Sequence, residues 1–353
     1  MPRGFIIGGF RLPTVGHKYL IEFASCWCEG DLDVMLNTRD DDAIPGAVRH
    51  RWLADQFRGQ ARIHRFHNDL PEEDAGVPDF WQIWNRAILE VLGGKAPDLV
   101  FASEVYGKRL AADLGARFIP VDAPRDAIPI SASRVTAGIG EHWGLLLPEA
   151  RPSFLKRVAI IGPESCGKTT LARRLAAVFR TVHVPEFARG FLEATDPMKY
   201  PDLGDIEVIS AGHAASEDAL ARQANRVIFL DTDHICTAVW SEVALGTVPV
   251  SVEAEIAARP YDLRLLMADD VPFAPDPLRY AGHERQMKLA HFTEALDRRG
   301  LVYKIIDGGW TERTKKAASA VDALMAEPHR FRTTPSNPLP LKGGGEEIIS
   351  PSV

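Results

Sequence analysis

Long apolar runs, basic blocks and cysteine clusters are all missing from this chain of 353 residues. No stretch approaches the ~20 apolar residues needed to cross a bilayer. The start, Met1-Pro2-Arg3-Gly4-Phe5, runs into a short apolar segment ending at Gly8-Gly9, too short for a secretory signal and without its cleavage site. A cytoplasmic location without membrane insertion is therefore expected. Forty-one basic against 48 acidic residues give a net charge of −7, and neither end carries a basic block, which argues against general nucleic-acid binding. The four cysteines, Cys26, Cys28, Cys166 and Cys236, match neither a disulfide framework nor a paired CxxC zinc site, and buried free thiols are expected.

What is present is an ordinary globular composition, 46% hydrophobic and 25% charged, which disfavours collagen, coiled coil and disorder throughout. At roughly 150 residues per domain the length allows about two. Short β-rich runs alternate with helical stretches along the whole chain, so the expected class is α/β with two doubly wound parallel-sheet domains. In the first half the strands are expected at 5–8, 33–37, 62–66, 99–102 and 118–121, with helices at 18–27, 47–57, 80–92 and 106–114. A proline-containing segment, 145–154, has no clear period and separates a first domain, 1–150, from a second, 155–328. Beyond it strands are expected at 157–161, 182–184, 227–230, 263–267 and 302–306. Helices are expected at 168–179, up to Asn225, at 284–299 and at 311–325. The Pro/Gly-rich tail, 332–353, reads as disordered.

The strongest motif is Gly162-Pro-Glu164-Ser165-Cys-Gly167-Lys168-Thr169-Thr170, preceded by the apolar Val158-Ala-Ile-Ile161 and followed by an amphipathic run. It satisfies GxxxxGK[ST] in its strand, loop, helix context. Backbone N–H groups of such a loop face phosphate oxygens, and the helix N-terminus adds a positive field. Lys168 is expected to reach the β- and γ-phosphates of ATP, and the Thr169 hydroxyl to bind Mg²⁺. Val227-Ile-Phe-Leu-Asp231-Thr-Asp233 ends an apolar strand in carboxylates, Asp231 as the second Mg²⁺ donor and Asp233 within reach of substrate. Glu186, in Val184-Pro-Glu186-Phe-Ala-Arg189, is placed to orient an acceptor hydroxyl and take its proton. Its alternative role is a helix-capping glutamate beside a surface arginine. Arg279 and Arg285 precede a long helix where a lid would close over the triphosphate, although surface salt bridges explain them nearly as well.

A second nucleotide site opens where the first strand meets Gly8-Gly-Phe10-Arg-Leu-Pro13-Thr14-Val-Gly16-His17. This resembles the [HT]xGH signature of nucleotidylyltransferases, in which Thr14 and His17 face ATP phosphates and Gly16 permits close backbone approach. Ile130-Ser131-Ala-Ser133-Arg134-Val-Thr136 resembles the ISxTxIR partner signature, with Ser131 and Ser133 donating hydrogen bonds to phosphate or, alternatively, forming a simple serine cap.

Taken in order, these motifs resemble the NadR-type proteins of NAD synthesis, over about residues 4 to 328. Further residues carrying the resemblance are Asp41-Asp-Ala-Ile-Pro45-Gly46, Arg49, Arg51-Trp52, Ser103-Glu104-Val-Tyr106-Gly107, Glu186, Arg189 and Trp240-Ser-Glu242. The resemblance implies a nicotinamide mononucleotide (NMN) adenylyltransferase domain followed by a P-loop ribosylnicotinamide kinase domain. It implies ATP, nicotinamide riboside, NMN and NAD as ligands, with Mg²⁺. Glu186, Arg189, Asp233 and Trp240 would then serve the riboside. Trp81 and Trp84 could approach the nicotinamide ring, although core packing explains them better. Three positions depart from the family pattern: Thr14 stands for its first histidine, Pro13 is displaced, and Thr136 takes the place of its terminal arginine. The last removes a cation from beside the triphosphate of ATP, where pyrophosphate leaves. Two further readings stay open, a kinase whose first domain only binds nucleotide, and a sensor or transport-coupling protein that reports NAD status. Some relatives carry an N-terminal helix-turn-helix and act as repressors; this sequence starts at the first strand, so no DNA-binding role is expected. Self-association is left open.

Overall fold

The computed structural model describes residues 1–74, 76–129, 131–195, 201–272 and 287–333. The chain divides into two compact units, Met1–Ala150 and Arg151–Ser336. In the first, strands and helices alternate as β1 (Gly4–Gly8), α1 (Val15–Trp27), β2 (Leu32–Thr38), α2 (Gly46–Gln56), β3 (Arg62–His67), α3 (Phe80–Val91), β4 (Leu99–Ala102), α4 (Tyr106–Leu114), β5 (Arg117–Pro120) and α5 (Ala132–Ala137). The five strands pair in parallel in the order β3-β2-β1-β4-β5. The chain winds one way from β1 through β2 to β3 and then returns to β4 on the other side of β1. That reversal opens a crevice at the carboxyl ends of β1 and β4, where open α/β sheets bind ligands.

The central strands β1 (Gly4-Phe-Ile-Ile-Gly8) and β4 (Leu99-Val-Phe-Ala102) are covered on both faces and so are apolar, whereas the edge strand β3 carries Arg62, His64, Arg65 and His67. On one face Phe5, Met35, Phe66 and Val100 pack against Phe80, Trp84, Ile88 and Val91 of α3 and Leu110 and Leu114 of α4. The 3.6-residue spacing of the α3 set gives that helix its single apolar stripe.

The second unit repeats the logic with β6 (Lys156–Ile161), α6 (Lys168–Val178), β7 (His183–Val184), α7 (Phe187–Ala194), α8 (Leu203–Ala221), β8 (Val227–Asp231), α9 (His234–Leu245), α10 (Val250–Ala258), β9 (Leu263–Met267), α11 (Leu289–Arg298), β10 (Lys304–Ile306) and α12 (Trp310–Met325). Its strand order is β10-β9-β6-β8-β7, again with parallel pairs. Successive residues of β6 face opposite layers. Val158 and Ile160 pack toward Leu171 and Leu175 of α6 and Val321 of α12. Ala159 and Ile161 pack toward Val239, Val252 and Phe292.

Four expectations need correction. The helix drawn up to Asn225 is two helices, because Asp202 starts a new one. Its carboxylate accepts from Asp205 N at 3.0 Å, and Asp202 N in turn donates to the Asp205 carboxylate at 3.1 Å. The helix expected from residue 284 is described only from Leu289, and 284–286 lie outside the described residues. Arg332, assigned to the tail, is bound into the second unit. Its guanidinium meets Asp262 at 2.6 Å and Leu155 O at 2.7 Å, and its N–H donates to Ser153 O at 2.8 Å. The rest of the tail, from 334, lies outside the described residues. All four cysteines are free, but only Cys28 and Cys166 are buried; Cys236 is half-buried and Cys26, near the end of α1, is exposed. Among the described residues no helix is long and apolar enough to cross a membrane.

Candidate active sites

In the second unit, the loop between β6 and α6 curls tightly enough to need glycine at a specific point. Gly162 has φ of +135°, and a Cβ there would lie 2.7 Å from Met267 O. Ser165 also takes a left-handed backbone, with φ of 55°. The turn delivers Lys168, Thr169 and Thr170 to the first turn of α6. In this structure the Lys168 ammonium lies across the loop, donating to Gly162 O at 3.0 Å and Pro163 O at 2.8 Å. Burial disfavours its charge, but the acidic groups around it, Glu186 and Asp231 among them, hold its pKa above the ordinary lysine value.

Asp231 ends β8 with 1% exposure, and its Oδ1 has no hydrogen-bond partner. Burial, followed by the negative charge of Glu186, pushes its pKa up to about 6. A hydrogen bond from the Thr169 hydroxyl and the charge of Lys168 act in the opposite direction. Lys168, Thr169, Glu186 and Asp231 therefore share one electrostatic neighbourhood. An orphaned buried carboxylate oxygen beside a hydroxyl suits a small hard cation that keeps waters and phosphate oxygens as its other ligands. Glu186 stands at the N-cap position of α7, yet its side chain makes no capping hydrogen bond. Its carboxylate is thus not spent on the helix.

The remaining predicted kinase residues have other settings. Asp233 is 1% exposed and is committed to structure. Its Oδ1 accepts from Ile235 N at 2.9 Å and Cys236 N at 3.2 Å, and its Oδ2 pairs with Arg264 at 3.3 Å. Arg189 lies 4.0 Å from Glu193 along α7. Trp240 packs against the apolar cluster around Val239 and Phe292. A Glu164 carboxylate oxygen accepts from Met287 N at 3.4 Å. Arg279 and Arg285 lie outside the described residues. Sequence reasoning missed Arg313, which is 1% exposed. It donates to Cys166 O at 3.0 Å, Ala268 O at 3.1 Å and Gly308 O at 2.7 Å, and it also pairs with Asp270. It also missed Trp310, whose indole lies where a Cβ on Gly167 would project, 2.3 Å away. Gly308-Gly-Trp310 after a short strand was the available signal.

In the first unit a cavity of about 680 Å³ sits in the crevice beside β1 and β4, and its walls include Gly8, Phe10, Thr14, Gly16 and His17. Thr14 caps α1. Its N–H donates to His17 Nδ1 at 3.1 Å, and its hydroxyl lies 3.2 Å from the same atom. With Nδ1 accepting from the backbone, the proton of neutral His17 sits on Nε2. Burial, helped by the positive charge of Arg125, lowers the His17 pKa to about 4. His17 is therefore a neutral N–H donor at pH 7, and the Phe10 ring, 5.0 Å away, tilts against it. A Cβ on Gly16 would make only ordinary contacts, at 3.6 Å to Ile128 and Thr14.

Several residues of the family resemblance turn out to be scaffold around this cavity. Buried Arg49 binds Ile44 O at 3.0 Å and also holds Gly9 O and Asp42. The Tyr106 hydroxyl donates to Ile7 O at 2.9 Å. Trp81 and Trp84 both line the cavity, their indole N–H groups fixed by Asp74 and Pro71 O at 2.9 Å each. Ser131 and Ser133 are not among the lining residues, which in α5 are represented by Ala132. Ser131 caps α5, accepting from Arg134 N at 3.3 Å, and lies 2.9 Å from the Ser133 hydroxyl. Arg11, Glu72 and Arg125 line the cavity without having been singled out.

The fold defines a two-unit α/β protein of the nucleotide-binding kind, with a Rossmann-like unit followed by a P-loop kinase-like unit. Residues 157–313 match the model of an AAA domain family, AAA_28. The trifunctional NAD biosynthesis/regulator protein NadR of Escherichia coli (strain K12) is 30% identical over 305 residues, covering 79% of this chain and 72% of that protein. Its namesake in Salmonella typhimurium is 29% identical over 299 residues, with the same coverage. The chain belongs to the NadR family. A crystal structure of a NadR protein in complex with NR has the same fold, with TM-score 0.71, 23% identity and coverage of 94% of this chain and 99% of that one. Another, in complex with NAD and AMP-PNP, gives TM-score 0.70, 24% identity and coverage of 93% and 97%.

Proposed function

We propose that this protein makes NAD in two ATP-dependent steps, one in each unit. The second unit transfers the γ-phosphoryl group of ATP to the 5′-hydroxyl of nicotinamide riboside, giving NMN and ADP. The first unit joins NMN to the AMP portion of a second ATP, giving NAD and releasing pyrophosphate. Family membership supports both reactions. The observation that carries the kinase reading is the placement of Lys168 and Thr169 just beyond β6, Asp231 at the end of β8 and Glu186 just beyond β7, all at the carboxyl ends of neighbouring parallel strands.

In the kinase step, the loop N–H groups and the α6 N-terminus hold the phosphates, while Lys168 leaves its carbonyl partners to meet the β- and γ-phosphates. Thr169 and Asp231 would hold Mg²⁺, which supplies charge neutralisation on the phosphate oxygens when bound. Glu186 accepts the hydrogen bond of the attacking hydroxyl and receives its proton. Gly162, Glu164, Ser165, Gly167 and Thr170 shape the donor site, and Arg189 and Trp240 serve the riboside side. Asp233 acts by positioning, since its carboxylate already fixes α9 and Arg264.

In the adenylyl transfer, the NMN phosphate oxygen attacks the α-phosphorus in line, and the bond to the bridging oxygen breaks with its electron pair leaving on pyrophosphate. Gly8, Phe10 and Gly16 shape the crevice, and Thr14 fixes His17 so that its Nε2–H points at developing negative charge. Ser131 and Ser133 keep the start of α5 in place. The location that suits both steps is cytoplasmic. A kinase-only reading draws on the exposed Thr136, whose hydroxyl is bonded to Ala132 O at 2.9 Å. Purified protein given NMN and MgATP separates the two readings: NAD and pyrophosphate form if both units turn over, and neither forms if the second works alone.

A further inference from the structure

We propose that the Trp310 indole is the platform on which the kinase unit stacks the base of its phosphate donor, and that it selects purine over pyrimidine nucleoside triphosphates. The inference rests on the kinase reading and adds the base end of that site.

The strand order fixes which way a nucleotide lies. On one side of β6, which carries the phosphate loop, are β8 and β7, and on the other are β9 and β10. Asp231 at the end of β8 and Glu186 just beyond β7 mark the side of the reacting γ-phosphate. The base is the far end of the molecule, so it points toward β9 and β10. Trp310 stands there, just beyond β10 at the start of α12.

Its indole reaches the phosphate loop. The ring lies over Gly167, where a Cβ would come within 2.3 Å of it, and Gly167 immediately precedes Lys168 and Thr169 at the start of α6. A nucleotide whose β-phosphate is held by the N–H groups there has only the α-phosphate and the ribose before its base, so the base comes down beside Trp310. The indole is 49% exposed. A half-open indole offers a flat base its π-face, and the larger ring system of a purine gains more from that stack than a pyrimidine does.

The platform is pre-set. Buried Arg313 holds its guanidinium carbon 5.8 Å from the indole centroid. The same guanidinium binds Cys166 O in the phosphate loop at 3.0 Å, Ala268 O at 3.1 Å and Gly308 O at 2.7 Å. Gly308 N in turn donates to Asp270 at 2.7 Å. One arginine thus ties the loop that holds the phosphates to the segment that carries the indole, so the spacing between them is fixed before a nucleotide arrives.

The test compares full-length wild type with Trp310→Ala and Trp310→Phe, using nicotinamide riboside as acceptor and ATP, GTP or CTP as donor. Trp310→Ala is expected to raise KM for ATP roughly 10–100-fold, the loss that removing one base–aromatic stack brings, while kcat changes by less than about threefold. Trp310→Phe should restore most of the loss. Wild type should use CTP at least about tenfold less well than ATP or GTP in kcat/KM, a gap that closes in Trp310→Ala. Inhibition by inorganic tripolyphosphate, which has no base, should be the same in all three proteins, whereas a merely structural role at the loop would weaken it along with ATP. Indole fluorescence gives a readout that needs no acceptor: MgATP should quench wild type more than Trp310→Phe. An unchanged KM for ATP in Trp310→Ala, an equal loss of tripolyphosphate inhibition, or CTP used as well as ATP overturns the proposal and leaves the kinase reading standing. A wild type that phosphorylates no riboside overturns the kinase reading, and the fluorescence then decides the platform by itself: extra quenching in wild type supports it, and equal quenching overturns it.

Discussion

Replacing Asp231 by asparagine should stabilise the second unit while abolishing its kinase activity. The carboxylate is buried at the end of β8, beside Glu186, and its pKa stands at about 6 against an ordinary 3.8. Because the folded pKa is the higher one, the native state holds the proton more tightly. Stability is therefore lost as pH rises from about 4 to about 6, and the loss is complete above that window. Moving an aspartate that far is worth about 3 kcal/mol. Asparagine removes the charge, keeps an acceptor for the Thr169 hydroxyl and leaves an amide to be satisfied, so the net gain at pH 8 should be about 1–3 kcal/mol. The advantage over wild type should grow by about 1–1.5 kcal/mol between pH 5 and pH 8. Urea unfolding of both proteins at the two pH values, without nucleotide, measures it. MgATP should then raise the melting temperature of wild type far more than that of the variant. An advantage that is absent or independent of pH would refute the assignment of a desolvated carboxylate beside Glu186 at this position.

Four more outcomes follow from the same geometry. Lys168→Ala should remove riboside phosphorylation by roughly 10³-fold or more while leaving adenylyl transfer to added NMN intact, as paired kinetic assays would show. Gly162→Ala should destabilise the second unit by more than about 1 kcal/mol, because its Cβ meets Met267 O and its φ of +135° excludes side chains. Asp33 receives hydrogen bonds from Arg3 at 2.7 Å, Arg62 at 2.8 Å and His64 at 2.7 Å. Burial works against its charge, but these three donors hold its carboxyl well below the usual range. Its stabilisation is therefore present above the ordinary carboxylate pKa and lost as pH falls, and Asp33→Asn should cost about 2–4 kcal/mol in urea unfolding near pH 7 after allowing for the exposure of Arg62. Adenylyl transfer should show no acid limb near 6.5 from His17, since that group titrates near 4 in the free protein.

Much of the fold was legible because its signals are local. The apolar runs of β1, β6 and β8, closed by Gly8, by Gly162 just past the strand, and by Asp231, mark parallel strands meeting a ligand crevice, and the P-loop spacing leaves few alternatives. α10 was not legible, since Val250-Ser-Val-Glu-Ala-Glu-Ile alternates like a strand. Pro249 at its N-cap and the burial of Val252 and Ile256, four apart, make it a helix. Tertiary packing overrode a period-two pattern there. Within the sites, residues whose role follows from backbone position, such as Lys168 and His17, were found directly. Asp233 was read as a substrate contact because its local sequence cannot reveal the buried Arg264 that claims it. Arg125 and Arg313 escaped for the converse reason. Arg125 reaches the cavity wall through a left-handed loop, and Arg313 meets carbonyls on three separate segments, so neither position could be read from its local sequence.

The central claim is that one chain carries nicotinamide riboside through NMN to NAD. Purified full-length protein with MgATP and nicotinamide riboside, followed in time by chromatography, tests it most directly. NMN should appear first and then give way to NAD with matching pyrophosphate, whereas Lys168→Ala should leave the riboside untouched yet convert added NMN. Riboside that stays unphosphorylated with wild-type protein, or NMN that accumulates without NAD, would contradict the account.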